Sequence, residues 1–280
     1  MLGALIIVFR EVIEAGLIVG IVLAVTQGLR GSRLLIALGV AAGVAGASLV
    51  AAFAGAIGEA LAGVGQEVFN ASILLIAVVM LTWHNVWMAS HGRELAAEVK
   101  QAGEAVRAGS KSIFALGVVC AVAVMREGSE IALFMYGLVA AGGSTMTELL
   151  IGSLLGLAAG VVVSALTYLG LVAIPQRRLF AVTTALISLL AAGLAAQAVL
   201  FLQQAGVLTM WSETAWDTSA ILSDTSLIGR VLHTLVGYAD QPSVLQVVVY
   251  CATLAVIFVL MKTVGRAHAP RKALGAAQAR

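Results

Sequence analysis

Apolar residues run along this chain in seven stretches, at residues 1–27, 34–58, 69–90, 112–140, 149–174, 180–203 and 244–264. Each is as long as or longer than the roughly 18 to 20 residues that a bilayer requires of a spanning helix. Unbroken apolar runs, rather than short alternating segments, predict helices and exclude a β-barrel. The pattern therefore predicts an all-α, polytopic membrane protein with seven transmembrane helices. The first run has no basic residue ahead of it and carries charges in its interior, so it is read as a span and not as a cleaved leader.

Between the runs, polar positions sort into three kinds. The link "GRELAAEVKQAGEAVRAGSK" sets Leu95, Val99, Ala102 and Val106 at helical spacing among charges, which predicts an amphipathic helix at the membrane surface. The longest non-spanning segment, 204–243, holds Trp211, Trp216 and the amphipathic piece "SLIGRVLHTLVGY", all suited to an interface. Glycines 152, 156 and 160 on helix 5, and Gly16 and Gly20 on helix 1, form small faces that allow close helix approach.

Composition agrees with the pattern. The 280 residues are 61% hydrophobic and 11% charged, with a mean hydropathy of +1.06, too apolar for a water-facing surface. With the N-terminus outside and the C-terminus in the cytoplasm, thirteen of the sixteen basic residues fall on cytoplasmic segments, from Arg30 and Arg33 to the tail with Arg271, Lys272 and Arg280. Only Arg230 lies outside. Glu59, Glu67, Glu148, Glu213, Asp217, Asp224 and Asp240 face outward in that orientation, a set able to concentrate cations. Cys120 and Cys251 sit in separate helices without metal or redox spacing and are read as small core residues.

The remaining polar positions are the unusual ones. "FREVIEAGLI" puts Arg10, Glu11 and Glu14 inside helix 1, and "MREGSEIALF" puts Arg126, Glu127 and Glu130 at the same spacing inside helix 4. Residues three and four apart share a helix face, so each trio is one cluster. A central ionised side chain costs about 2.5 to 3.5 kcal/mol on insertion scales, so six demand mutual compensation and a reason. Three helices separate the two copies, and an odd number inverts the direction of insertion. Helices 1–3 (1–111, with the cytoplasmic link) and 4–6 (112–203) thus read as an inverted repeat. The external loop 204–243 and a seventh helix with basic tail (244–280) follow. Such repeats place substrate sites at mid-membrane, between the halves.

Opposite insertion sets Glu14 level with Glu127 and Glu11 level with Glu130, the levels being roughly 4.5 Å apart. Two arginines against four glutamates leave a formal charge of −2, which suits a cation. Oxygen donors favour magnesium, calcium, manganese or iron over copper(I). The rival reading is a structural clamp that only locks helices together or anchors a partner. His84 and His91, toward the inner end of helix 3, read as hydrogen-bonded helix-end residues outside the site. No P-loop, nucleophile elbow or Rossmann glycine pattern occurs, so an enzymatic or nucleotide-driven role is not expected.

The doubled R-E-x-x-E motif, together with "WDTSAILSDTSLIGRVLHTLVGY" and "PSVLQVVVYCATL" near the last helix, resembles the oxidase-dependent iron transporter family of fungal and bacterial iron permeases. The resemblance implies iron as the transported substrate, with no permanently bound cofactor. It makes Glu11, Glu14, Glu127 and Glu130 the metal path and Arg10 and Arg126 their charge partners. It also implies a periplasmic iron-binding, cupredoxin-like or ferroxidase partner, no nucleic acid, and residence in a bacterial inner membrane. Fe(II), Fe(III) and another divalent ion such as manganese or lead remain open. Where the family has glycine after the first glutamate, helix 4 keeps Gly128 but helix 1 has Val12. The family's acidic motif before the last helix has only a loose counterpart, in which Glu213 and Asp217 would receive the ion outside.

Overall fold

A computed structural model describes residues 1–61, 65–110, 112–142, 145–170 and 176–267; Lys111 and the basic tail with Arg271, Lys272 and Arg280 lie outside the described residues. Eight helices are present among them: α1 (Leu2–Val25), α2 (Ser32–Leu61), α3 (Gln66–Arg107), α4 (Ile113–Ala141), α5 (Met146–Tyr168), α6 (Gln176–Gln204), α7 (Leu227–Val236) and α8 (Val244–Ala267). Five of these, α2, α3, α5, α6 and α8, contain segments long and apolar enough to cross a membrane. The chain is a polytopic helical membrane protein. α1 and α4 are of comparable length, 24 and 29 residues. What separates them from the five is the three charges that each carries in its interior.

Local chemistry sets the helix ends. The Thr145 hydroxyl accepts from Glu148 N at 3.2 Å and the Glu148 carboxylate accepts from Thr145 N at 3.1 Å, a reciprocal cap that starts α5. Ser112 caps α4 by accepting from Phe114 N, and Ser226 caps α7 by accepting from Gly229 N at 2.9 Å. Gly237 ends α7 in the left-handed region, φ +72°.

α1 packs most extensively on α5, and α4 on α2. Each motif helix thus leans on the second helix of the opposite triplet. Both seams are lined by glycines. A Cβ on Gly43 of α2 would lie 2.7 Å from the Ala121 carbonyl oxygen and from Val124 Cβ, and one on Gly160 of α5 would lie 2.7 Å from Val12 Cγ1. The expected face of Gly152, Gly156 and Gly160 is therefore the α5 seam with α1. Its counterpart on α2, Gly39 and Gly43, escaped the sequence reading. Gly16 meets Ser164 of α5, whereas nothing lies near Gly20.

The apolar interior is divided into two layers. One gathers Ile7 of α1, Leu74 and Leu81 of α3, Phe134 and Leu138 of α4, and Ile187 and Leu194 of α6. The other gathers Ile18 and Val22 of α1, Ile36 of α2, Val99 and Val106 of α3, and Leu116 and Cys120 of α4. Along α1 and α4 alike, the charged residues fall between the two layers. Large apolar residues on α2, α5 and α8, among them Leu49, Phe53, Leu154 and Phe258, stay exposed on the outside of the bundle, as lipid-facing residues do.

One segment corrects the sequence reading and a second gains a definite shape. The link from Arg93 is not a separate surface helix: α3 runs unbroken for 42 residues, about 63 Å, well past the bilayer core. Its apolar positions Val99 and Val106 are buried in the second layer against α1, α2 and α4. The 204–243 segment is a folded cap containing α7. Tyr238 donates to the Leu222 carbonyl at 2.7 Å, Thr218 N donates to the Asp240 carbonyl at 2.9 Å, and Val244 N donates to the Glu213 carbonyl at 2.9 Å.

The seams can be tested by adding single methyl groups. Gly43→Ala is expected to lower stability by about 1 to 3 kcal/mol through overpacking. Gly20→Ala, with open space around it, is expected to hold or raise stability by about 0.5 to 1 kcal/mol. Thermal unfolding of the purified variants in detergent distinguishes the two.

Candidate metal centre

Helix periodicity puts the charged residues of α1 on its inward face. Arg10 and Glu11 are 0% exposed and Glu14 is 3% exposed. Arg10 Nε lies 2.9 Å from Glu14 Oε1, the i,i+4 pair expected from the motif, and Nη1 lies 3.8 Å from Glu11 Oε1. The α4 cluster repeats the pattern in looser form: Arg126 Nε is 3.2 Å from Glu130 Oε1 and 3.6 Å from Glu127 Oε1. Here the side chains of Arg126 and Glu130 are 34% and 17% exposed, and the Arg126 guanidinium lies 4.2 Å from the centre of the Trp87 ring. The two copies are alike in sequence but not in burial, so their ion pairs differ in worth.

The two clusters meet across a third helix. His84 of α3 stands between them, its Nε2 lying 3.6 Å from both Glu11 Oε2 and Glu14 Oε2, while its Nδ1 contacts Glu130 Oε2. The ring packs edge-on against Phe134, 6.4 Å between centroids, at the floor of the first apolar layer. Glu11, His84, Glu127 and Glu130 each bring one donor atom within 4.8 Å of the others, a spacing that allows all four to hold one cation. Glu14 adjoins this set through Arg10 and His84. Glu11 thus joins both α4 carboxylates in one group.

Several oxygens in the cluster have no donor. Among the described residues, both Glu11 oxygens, Glu14 Oε2 and Glu127 Oε2 are buried without a hydrogen-bond partner. Buried acceptors rarely stay unmatched, and a set of them facing one another is what a cation would satisfy.

His84 corrects the reading that left it outside the site. Helix 3 was read as ending near residue 90, which put His84 near its inner end; in the 42-residue α3 it is close to the middle. The available signal was the polar pair His84 and Asn85 inside "LTWHNVWM". Asn85 is also buried, and its amide donates to the Ser188 hydroxyl of α6 at 3.5 Å. The side chain of His91 lies outside the described residues. Val12, where glycine was expected, packs at Gly160 of α5, while Gly128 faces Ala47 of α2. Its extra bulk is therefore accommodated at a seam. Glu213 and Asp217 are exposed in the 204–243 cap. Asp217 accepts from Ser219 Oγ at 2.6 Å, Ser219 N at 3.0 Å and Gln241 Nε2 at 3.0 Å. The bonds from Ser219, joined by that from Gln241, hold its carboxyl below the ordinary aspartate range.

Removing either arginine tests this inventory. Arg10→Ala strands two buried carboxylates and is expected to cost about 3 to 5 kcal/mol. Arg126→Ala, at a partly exposed pair, is expected to cost about 1 kcal/mol or less. Thermal unfolding in detergent, run side by side, should reproduce that order.

Comparison with known proteins bears on this geometry. Residues 1–271 match the Iron permease FTR1 family. A protein named ferrous iron permease EfeU from Escherichia coli O6:H1 (strain CFT073) is 32% identical over 265 residues, covering 92% of this chain and 95% of the relative. Another of that name from Shigella sonnei (strain Ss046) is 32% identical over 247 residues, covering 87% and 89%. No solved structure matches the chain. A match spanning nearly the whole sequence, over a membrane bundle with acidic clusters on two of its helices, means that the chain belongs to the Iron permease FTR1 family.

Proposed function

We propose that the chain is a permease that carries iron, as Fe(II), across a bacterial inner membrane through the carboxylates of α1 and α4. The observation that carries this reading is the mutual approach of Glu11, Glu127 and Glu130 within 4.8 Å, with buried oxygens that no donor among the described residues satisfies. A purely structural clamp would use up its acceptors on the two arginines. Family membership supports iron as the substrate, and the relatives' name, ferrous iron permease, favours the reduced ion.

In this reading α1 to α6 and α8 all span the bilayer, with the N-terminus outside. α1–α3 and α4–α6 are inverted repeats, and the reciprocal packing of α1 on α5 and α4 on α2 supports that pairing. The exposed apolar residues of α2, α5 and α8 meet lipid. Glu213 and Asp217 receive the ion on the outer face, from a periplasmic iron-binding, cupredoxin-like or ferroxidase partner. Held charged by its three hydrogen bonds, Asp217 keeps attracting cations in mildly acidic surroundings.

The ion then trades its water shell for Glu11, Glu127 and Glu130, with Glu14 beside them, while Arg10 and Arg126 hold the carboxylates apart. Apolar layers lie on both sides of the cluster along α1 and α4. Passage requires each layer to open in turn, which the glycine seams between the repeats allow by relative sliding.

Uptake of radio-iron into proteoliposomes tests the reading. Glu11→Gln and Glu127→Gln, at matched protein levels and with unchanged unfolding temperature, are expected to lose at least about tenfold in rate. Asp217→Asn is expected to raise KM with little change in maximal rate. Normal uptake by both glutamate variants would assign the clusters to structure.

A further inference from the structure

His84 is neither part of the repeated motif nor explained by it. The spacing that maps Arg10 onto Arg126 maps His84 onto Leu200, so the second repeat supplies no matching imidazole. Its side chain is nevertheless almost wholly buried and stands where the two acidic clusters meet. Resting on the permease reading above, we propose that His84 is a ligand of the transported ion and sets the permease's preference for iron over oxygen-seeking divalent cations.

The geometry divides the work between the ring nitrogens. Nδ1 contacts Glu130, and a neutral imidazole that donates there must present a lone pair at Nε2. Metal-bound histidines are commonly oriented in this way, with the far nitrogen donating to a carboxylate. Nε2 faces the gap between Glu11 and Glu14 at 3.6 Å from each. That separation is too long for a hydrogen bond. It does suit donors sharing an ion: two atoms each about 2.1 Å from one metal lie roughly 3 to 3.5 Å apart. Nε2 has no hydrogen-bond partner within geometric limits among the described residues. Phe134, packed edge-on, closes the apolar side of the ring.

The chemical consequence is selectivity. A site of carboxylates alone treats magnesium, calcium, manganese and ferrous iron as similar hard cations. One imidazole shifts the balance toward iron, which accepts nitrogen more readily than manganese, calcium or magnesium. Placing that nitrogen on α3, outside the repeated motif, lets one residue tune the choice of ion without disturbing the Arg-Glu pairs.

Proteoliposomes containing wild type or His84→Gln, supplied anaerobically with iron(II) and manganese(II) in competition, give the uptake ratio directly. The variant is expected to lose at least about tenfold in iron uptake, with manganese uptake changed much less, so that the ratio falls. An unchanged ratio, with wild type carrying iron, overturns this inference alone. Wild type that carries no iron overturns the permease reading and this inference together. A measurement on wild type avoids dependence on the variant's folding: pulsed EPR of the nitric oxide adduct of the iron(II)-loaded protein. Nuclear modulation from a directly bound imidazole nitrogen is expected, and its absence contradicts the proposal.

Discussion

Three carboxylates buried in the bundle, with a fourth, partly exposed, beside them, constrain the rest of this structure. Each resists leaving water by several kcal/mol even after relaxation, and Glu11, Glu14 and Glu127 are almost fully buried. Arg10 and Arg126 answer part of that cost through i,i+4 pairs built into the helices themselves. They leave a surplus of carboxylate oxygens turned toward one another. In the proposed reading a doubly charged ion is the partner that these groups lack, and two apolar layers lie on either side of it.

Holding these groups together depends on backbones approaching closely. Gly43 and Gly160 remove side chains at the seams where α2 meets α4 and α5 meets α1, and a methyl group at either position would collide with its neighbour. The same seams fix the heights of the charged residues between the layers. The 204–243 cap is fastened independently by its own backbone bonds and by the Arg230–Glu148 contact to the start of α5. Site, seams and cap are thus separate pieces of physics that share helices.

Much of this was legible in the sequence because membrane helices advertise themselves by length and their functional residues by polarity. Six charges in two matched trios pointed to Arg10, Glu11, Glu14, Arg126, Glu127 and Glu130 as candidates, and the glycine spacing on α5 pointed to a close contact. What stayed hidden has physical causes. α3 outruns the bilayer, so the end of its apolar run was mistaken for the end of the helix, and His84 was placed near a terminus when it lies near the middle. The glycines of α2 were lost among the chain's thirty. Depth along two helices can be counted from residue numbers, but rotation about their axes cannot. Hence residue numbers alone did not single out Glu11 as the α1 carboxylate that joins both α4 carboxylates.

The central claim is that one ion is shared between the motifs of α1 and α4. The most direct measurement is a crystal structure of the iron-loaded protein with anomalous diffraction recorded on both sides of the iron absorption edge. The expected result is a single iron peak within bonding distance of Glu11 and Glu127. Iron found only in the external cap, or separate ions at each Arg-Glu cluster, would contradict a shared site.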